Sequence, residues 1–246
     1  PTAILSTHTG GFTGYTFRDL SEDIPAMLAQ WKTLGLKYDI IISGYLGSID
    51  QIEMVKSTKK DFLKEGGLMI VDPVMGDNGI LYSHFDRKFV EEMKGLCRTA
   101  DVIVPNLTEA CFLTDTDYNG VSEKDYLTVI SKLKELCPRP SVTGCDISGK
   151  NGTQSAVFYT DEKGGTKHYS TEKVEGAFHG AGDVYASALV GCLARGVDTD
   201  AAVRIAAEFT TNSIKQTAID KTEARYGLNS ESQMYAYLKA LNEAAK

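Results

Sequence analysis

Short, uninterrupted apolar runs punctuate this chain, and most are followed by a segment whose apolar positions recur every three or four residues. Asp39-Ile40-Ile41-Ile42-Ser43-Gly44, Leu68-Met69-Ile70-Val71, Val102-Ile103-Val104 and Ser141-Val142-Thr143-Gly144 have the length and β-branched content of buried strands, and Thr2-Ala3-Ile4-Leu5 is a fifth. Between them the spacing predicts helices. One runs from Ser21 to about Leu34, capped by Ser21 with Glu22, Asp23 and Pro25 in its first turn. Another runs from about Ile49 to Leu63 and is closed by Gly66-Gly67. Further helices run from about Arg87 to Leu96, from Thr108-Glu109 onward, and from about Glu123 to Leu136. Strands alternating with helices predict an α/β fold with a doubly wound, mainly parallel central sheet and helices on both faces. Ala156 to Tyr159 and Lys167 to Ser170 flank the turn residues Thr160 to Gly165, which predicts an antiparallel edge hairpin. After Asp183 the pattern is helical, over about 181–195, 198–216 and 230–245, with an irregular stretch at 215–227.

Composition narrows the class. A length of 246 residues with 42% hydrophobic residues suits one large α/β domain. A net charge of −7, with acidic residues scattered along the chain, argues against a nucleic-acid surface and for a cytoplasmic protein. Cys97, Cys111, Cys137, Cys145 and Cys192 are odd in number and never paired as C-x-x-C, so reduced thiols are expected. The four histidines lack metal-ligand spacing, and no apolar stretch approaches the ~20 residues of a membrane helix.

Parallel sheets of this kind bind ligands at the carboxyl ends of their strands, so the polar residues there become the candidates. They are Ser43-Gly44-Tyr45, Asp72 to Asp77, Pro105 to Glu109, Thr143-Gly144, and the turn Gly180-Ala181-Gly182-Asp183 that feeds the last helical region. Two glycines before a helix let backbone N–H groups converge on an anion, reinforced by the positive end of the helix dipole. A carboxylate at such a site is either a helix cap or a base for a hydroxyl, and both readings apply to Asp183. Asp72, Asp77 and Glu109 gather beside it; each has an ordinary role in a turn or a helix first turn, and together they suit Mg²⁺. Asn106 either caps its helix or reaches a phosphate oxygen, and Thr143 is similar. His8, Thr9 and Tyr45 lie where a planar polar substrate would be held. His179 reads as an exposed loop residue.

These residues together resemble the ribokinase-like superfamily of small-molecule kinases, and within it the pyridoxal kinases. Gly180-Ala181-Gly182-Asp183 is similar to the superfamily's G-x-G-D signature, Asp72-Pro73-Val74 to its D-P-V segment, and Pro105-Asn106-Leu107-Thr108-Glu109 to its P-N-x-x-E segment, in the same order. Ser6-Thr7-His8-Thr9-Gly10 and Ser43-Gly44-Tyr45 resemble the S-N-H-T-G and T-G-Y segments of the pyridoxal kinases. The resemblance implies a single kinase domain over residues 1–246, without the strand and helix that open those enzymes, and a homodimer. It implies ATP-dependent phosphorylation of the 5′-hydroxyl of a vitamin B6 vitamer (pyridoxal, pyridoxamine or pyridoxine), with Mg²⁺ and room for a monovalent cation. Asp183 would be the base, and the amides of Gly180, Ala181, Gly182 and Asp183 the anion hole. Asp77 and Glu109, with Asp72 nearby, would hold the metal. Asn106 and Thr143 would meet ATP phosphates, Val174 and Phe178 the adenine, and Thr9 and Tyr45 the pyridine ring. The alternatives are a hydroxymethylpyrimidine kinase of the same superfamily and a non-catalytic protein that binds B6 vitamers or nucleotide.

Overall fold

The computed structural model describes residues 2–7, 12–150 and 152–245. The first apolar run becomes β1 (Ile4–Ser6), which pairs antiparallel with β2 (Phe17–Asp19) in a ribbon of its own. One buried side chain ties this ribbon down: Gln51 Nε2 lies 2.8 Å from the Ala3 carbonyl oxygen and 3.1 Å from both Asp19 Oδ1 and Ser21 Oγ. Ser21 is thereby drawn toward Gln51 and does not cap the first helix. α1 (Ile24–Thr33) starts after Asp23, carries Pro25 in its first turn, and has no side-chain capping bond.

β3 (Tyr38–Ser43) leads to α2 (Ile49–Phe62), whose N-cap Ser48 accepts a hydrogen bond from the Gln51 amide. α2 passes directly into β4 (Leu63–Val71). The expected closure of α2 by Gly66-Gly67 is therefore not what these glycines do. They lie in a bulge of β4, where the pairing jumps from Tyr38 opposite Leu63 to Ile40 opposite Leu68. Gly66 has φ +73°, and a Cβ at Gly67 would stand 2.7 Å from the Asp39 carbonyl oxygen.

Beyond β4 a small hairpin, β5 (Gly76–Asp77) with β6 (Ile80–Leu81), precedes α3 (Arg87–Cys97), capped by Asp86. β7 (Val102–Ile103) and α4 (Leu107–Leu113) follow, then α5 (Tyr126–Leu133), entered through a 3-10 turn at Glu123–Asp125. β8 (Ser141–Gly149), β9 (Gly152–Thr160) and β10 (Thr166–Glu172) complete the strands, and α6 (Ala181–Ala194), α7 (Thr199–Asp220) and α8 (Met234–Ala244) the helices.

β3, β4 and β7 pair in parallel, and parallel bridges from Ile103 to Pro140 and from Asn106 to Thr143 attach β8. β9 and β10 then continue antiparallel, as the hairpin pattern predicts. β8 outruns the four-residue strand expected because it bends at Gly144, φ +71°, and carries on as a partner of β9. Helices pack on both faces, with a core on each. Met69, Val71, Ile103 and Met93 belong to one; Ile70, Val102, Leu189 and Ile205 belong to the other. Successive residues of β4 and of β7 thus alternate between the two cores, so neither face of the sheet is left to solvent. All five cysteines are free and buried. Among the described residues, no helix is long and apolar enough to cross a membrane.

Candidate active site

Asp72 leaves β4 at its carboxyl end and is pinned there by its own amide, which donates to the Ser43 carbonyl at the end of β3 at 2.8 Å. Among the described residues its carboxyl makes no side-chain hydrogen bond. Burial, and secondly the negative charge of Asp183, push that carboxyl up to about 7. A β4 strand end and the first turn of α6 are thus brought within electrostatic reach from opposite sides of the sheet.

Glu109 and Asn106 form a capping box at the start of α4. Asn106 Oδ1 accepts from the Glu109 amide at 2.9 Å, and Glu109 Oε2 accepts from the Asn106 amide at 2.8 Å. Glu109 Oε1 also accepts from the Met75 amide, and Asn106 Nδ2 donates to the Gly76 carbonyl at 2.9 Å, so the pair fastens the β5–β6 hairpin to α4. Despite these backbone donors, burial and the neighbouring Asp72 charge hold the Glu109 carboxyl well above the ordinary range. Asp77 is exposed on the same hairpin and accepts from the amide and side chain of Asn78.

α6 begins at Gly180, which has φ +80° and whose carbonyl accepts from the Val184 amide at 2.9 Å. Gly180 therefore holds the cap position, and Asp183 is the third helical residue. That removes the capping alternative for Asp183. The first amides of an α-helix have no partner within it, so those of Ala181, Gly182 and Asp183 are directed at the rim. Asp183 keeps solvent contact, and the mass around its carboxyl raises its pKa by desolvation.

Among the described residues, no Lys or Arg forms an ion pair with the Asp72, Asp77, Glu109 or Asp183 carboxyl. A polyphosphate could enter such a place only with a cation. Among the described residues, no three His, Cys, Asp or Glu form a ready metal cage. Mg²⁺ does not need one, because it keeps several waters and takes one or two carboxylates plus phosphate oxygens. Asp72, without a hydrogen-bond partner, and the exposed Asp77 fit that requirement, whereas both Glu109 oxygens are already engaged by backbone amides.

Tyr82, just after β6 and 42% exposed, lies near these acids although nothing in the sequence singled it out. Its hydroxyl is pushed up to about 12 by burial and then by the charges of Glu109, Asp77, Asp183 and Asp72. It follows Ile80-Leu81 and reads there as one more apolar position. Only the convergence of four carboxylates marks it.

A cavity of about 210 Å³ lies beside the Gly180–Asp183 turn, lined by Thr143, Ala181, Gly182, Tyr185, Thr210 and Thr211 among others. Ala207, Thr210, Thr211 and Ile214 line it at the i, i+3, i+4, i+7 spacing of one face of α7. Thr171 and Thr211 close one side through a 2.7 Å hydroxyl pair. Thr143, Ala181 and Gly182 are thus gathered together, while Asn106, Val174 and Phe178 do not line this cavity; Val174 and Phe178 are half-buried on the 173–180 loop. His179 is exposed on that loop. Tyr45 packs against Phe85 with ring centroids 5.7 Å apart, and burial, then Tyr15 and Asp19, raise its hydroxyl. His8 and Thr9 lie outside the described residues. A larger cavity of about 310 Å³ runs along β3 between α1 and α2 and reaches the rim at Ser43 to Tyr45. It is chiefly apolar and none of the four acids lines it, so volume does not mark the chemistry here.

The pyridoxine kinase of Bacillus subtilis is 30% identical over 202 residues, 79% of this chain and 71% of that protein. The crystal structure of pyridoxal kinase from Lactobacillus plantarum matches with a TM-score of 0.86 at 29% identity, over 98% of this chain and 85% of that one. A putative phosphomethylpyrimidine kinase from Bacteroides thetaiotaomicron, solved in an orthorhombic form with pyridoxal, matches with a TM-score of 0.85 at 28% identity, over 99% of this chain and 84% of that one. The chain spans about half, 48%, of the length of a curated Caenorhabditis elegans relative that it matches. The family model described as phosphomethylpyrimidine kinase matches residues 2–227, most of the chain including every described strand and the Gly180–Asp183 turn, and the chain belongs to that family.

Proposed function

We propose that this chain is an ATP-dependent kinase of a vitamin B6 vitamer, transferring the γ-phosphoryl group to the 5′-hydroxyl of pyridoxal, pyridoxamine or pyridoxine. The observation that carries it is the turn Gly180–Asp183, where a helix that starts at a left-handed glycine carries Asp183 in its first turn, with Thr143, Ala181 and Gly182 lining one cavity. The amides of Gly180 to Asp183 receive the charge on the transferred group, which has little covalent demand beyond positioning and electrostatics. Asp183 takes the hydroxyl proton as the vitamer oxygen bonds to phosphorus, and the bond to the ADP oxygen breaks. A raised carboxyl pKa suits a base that must accept a proton and later release it.

Asp72 and Asp77 would hold Mg²⁺, with Glu109 fixing the hairpin beside them; the ion supplies neutralisation of the β- and γ-phosphate oxygens. Thr143 and the cavity under Gly182 take the nucleotide, with Asn106 at its phosphate end and Val174 and Phe178 on the loop above. Thr9 and Tyr45 hold the ring, and the active form is a cytoplasmic homodimer.

The test is ADP release with each vitamer in the presence of MgATP. Asp183→Asn should lower kcat by roughly 10²–10⁴-fold while ADP still binds within a few-fold of its original affinity. Equal turnover by the variant would remove Asp183 from the chemistry. A second reading, phosphorylation of a hydroxymethylpyrimidine, is favoured by the description of the matching family model. The form with pyridoxal of the Bacteroides relative supports the first. A kcat/KM higher for the pyrimidine than for all three vitamers would decide for the second.

A further inference from the structure

Two hydroxyls outside the cluster of acids connect the anion hole to the sheet. Ser141 Oγ and Tyr185 Oη lie 2.8 Å apart, one donating to the other, and both residues are 3% exposed. Ser141 opens β8, and Thr143 is two residues on, so the two share a face of that strand. Tyr185 is two residues after Asp183 on α6, which at about 100° per residue sets the two on nearly opposite sides of the helix. Tyr185 is buried against the sheet, while Asp183 stays exposed in the first turn, with Oδ2 4.0 Å from where a Cβ on Gly180 would stand. The bond ties the start of α6 to the start of β8 and so opposes rotation of the helix about its own axis.

Packing orients the body of the helix, through buried Ala188, Leu189 and Cys192 and the close approach of Tyr237 Oη at Gly191, but lies farther from its first turn. From Val184 to Leu193 the helix is largely apolar, with Ser187 exposed and small residues at Ala186, Ala188 and Gly191. Farther along, Tyr237 Oη donates to the Ala188 carbonyl at 3.0 Å, which anchors the helix to α8 one turn beyond Tyr185. The Ser141 bond is the polar anchor nearest the anion hole. It also sits at the wall of the cavity that Thr143, Gly182 and Tyr185 share. Burying two hydroxyls gains little net stability over an apolar pair of the same shape, so the pair is better explained by the geometry it imposes.

We infer that Ser141 and Tyr185 are positioning residues for phosphoryl transfer: their hydrogen bond sets the orientation of Asp183 and the amides of Gly180 to Asp183 against Thr143. Neither hydroxyl touches the reacting atoms. This rests on the kinase reading above. It predicts an effect on kcat more than on binding, since an error of ~1 Å at a reacting group can cost ~10²-fold in rate.

The experiment is a double-mutant cycle of Tyr185→Phe and Ser141→Ala, with kcat, KM for MgATP, ADP affinity by calorimetry, and Tm measured for each protein. Each single change should lower kcat about tenfold with KM for MgATP and ADP affinity within about twofold, and the double variant should be no slower than the singles. Single variants whose kcat stays within twofold while Tm falls would overturn the proposal and leave the bond a packing feature. Losses that multiply in the double variant would also overturn it. If Tyr185→Phe does not fold, Ser141→Ala alone carries the kcat-against-KM comparison. The acceptor is pyridoxal, or hydroxymethylpyrimidine if pyridoxal is inert, so failure of the vitamer assignment shows in the original protein and failure of the positioning role only in the variants.

Discussion

Asp72 shows how burial turns an ordinary turn residue into a sensitive one. In an unfolded chain its carboxyl has a pKa near 3.8, and in the fold it is pushed up to about 7. The folded state thus holds the proton more tightly than the unfolded state. The resulting stabilisation is complete below the unfolded value and is lost as pH rises through about 7. Asn cannot ionise, so Asp72→Asn should stabilise the fold relative to the original protein at pH 8, by as much as roughly 3–4 kcal/mol, and by much less at pH 5. Urea midpoints at the two pH values test this, and no difference between them would mean that Asp72 is not buried as charged. The same change should weaken the response to Mg²⁺. In the original protein, Mg²⁺ affinity should rise between pH 6 and pH 8, because the cation competes with the proton for that carboxyl. Asp72, Glu109 and Asp183 were legible in the sequence because each follows a strand end or glycine turn that local pattern reveals. Tyr82, Thr210 and Thr211 were not: their roles come from segments far apart in sequence that meet only in the fold.

At the level of elements, glycines carried the clearest signals and also the misleading one. Gly180 and Gly66-Gly67 look alike as helix punctuation, yet Gly180 opens α6 and the pair lies inside β4. The difference is set by the partner strand, because the Asp39 carbonyl leaves no room for a side chain at Gly67, and no local pattern encodes that approach. β2, and the pairing of β1 with it outside the main sheet, were obscure for a related reason. Their short pairing is held by Gln51 from α2, whose buried amide has no counterpart in a periodicity argument. At Gly180 the requirement is backbone conformation alone, since φ is +80° and a Cβ there would find the Asp183 carboxyl as its nearest neighbour, at 4.0 Å. Gly180→Ala therefore costs conformational strain with little clash, about 1–2 kcal/mol. The expected result is a Tm lowered by several degrees together with a larger loss in kcat, since relief of strain rotates the first amides of α6 off the rim. A Tm loss with kcat unchanged would show that those amides do not serve the reaction.

Across the whole molecule, the two faces of the sheet supply different halves of the site. The acids Asp72, Asp77 and Glu109 come from β4, the β5–β6 hairpin and α4, where the larger core lies, whereas Asp183 and the first amides after Gly180 come from α6, which packs in the other core. Correct geometry at the rim therefore requires the two cores to hold one relative position, and the sheet transmits it because neighbouring residues of β4 and β7 enter opposite cores. Folding should accordingly be one cooperative event. The chain has a single tryptophan, Trp31, on α1 against Phe62 at the end of α2, the helix that sends Ile52 into the larger core. Leu189 is 1% exposed in the opposite core. Leu189→Ala should cost about 2–5 kcal/mol and lower the unfolding midpoint read by Trp31 fluorescence as much as the midpoint read by far-ultraviolet circular dichroism. MgADP, bound where the two halves meet, should raise both midpoints together, by an amount that grows with the logarithm of its concentration above Kd. A variant whose helices melt while Trp31 keeps its native signal would show that the faces fold separately, and the rim would then be a contact between two independently stable layers.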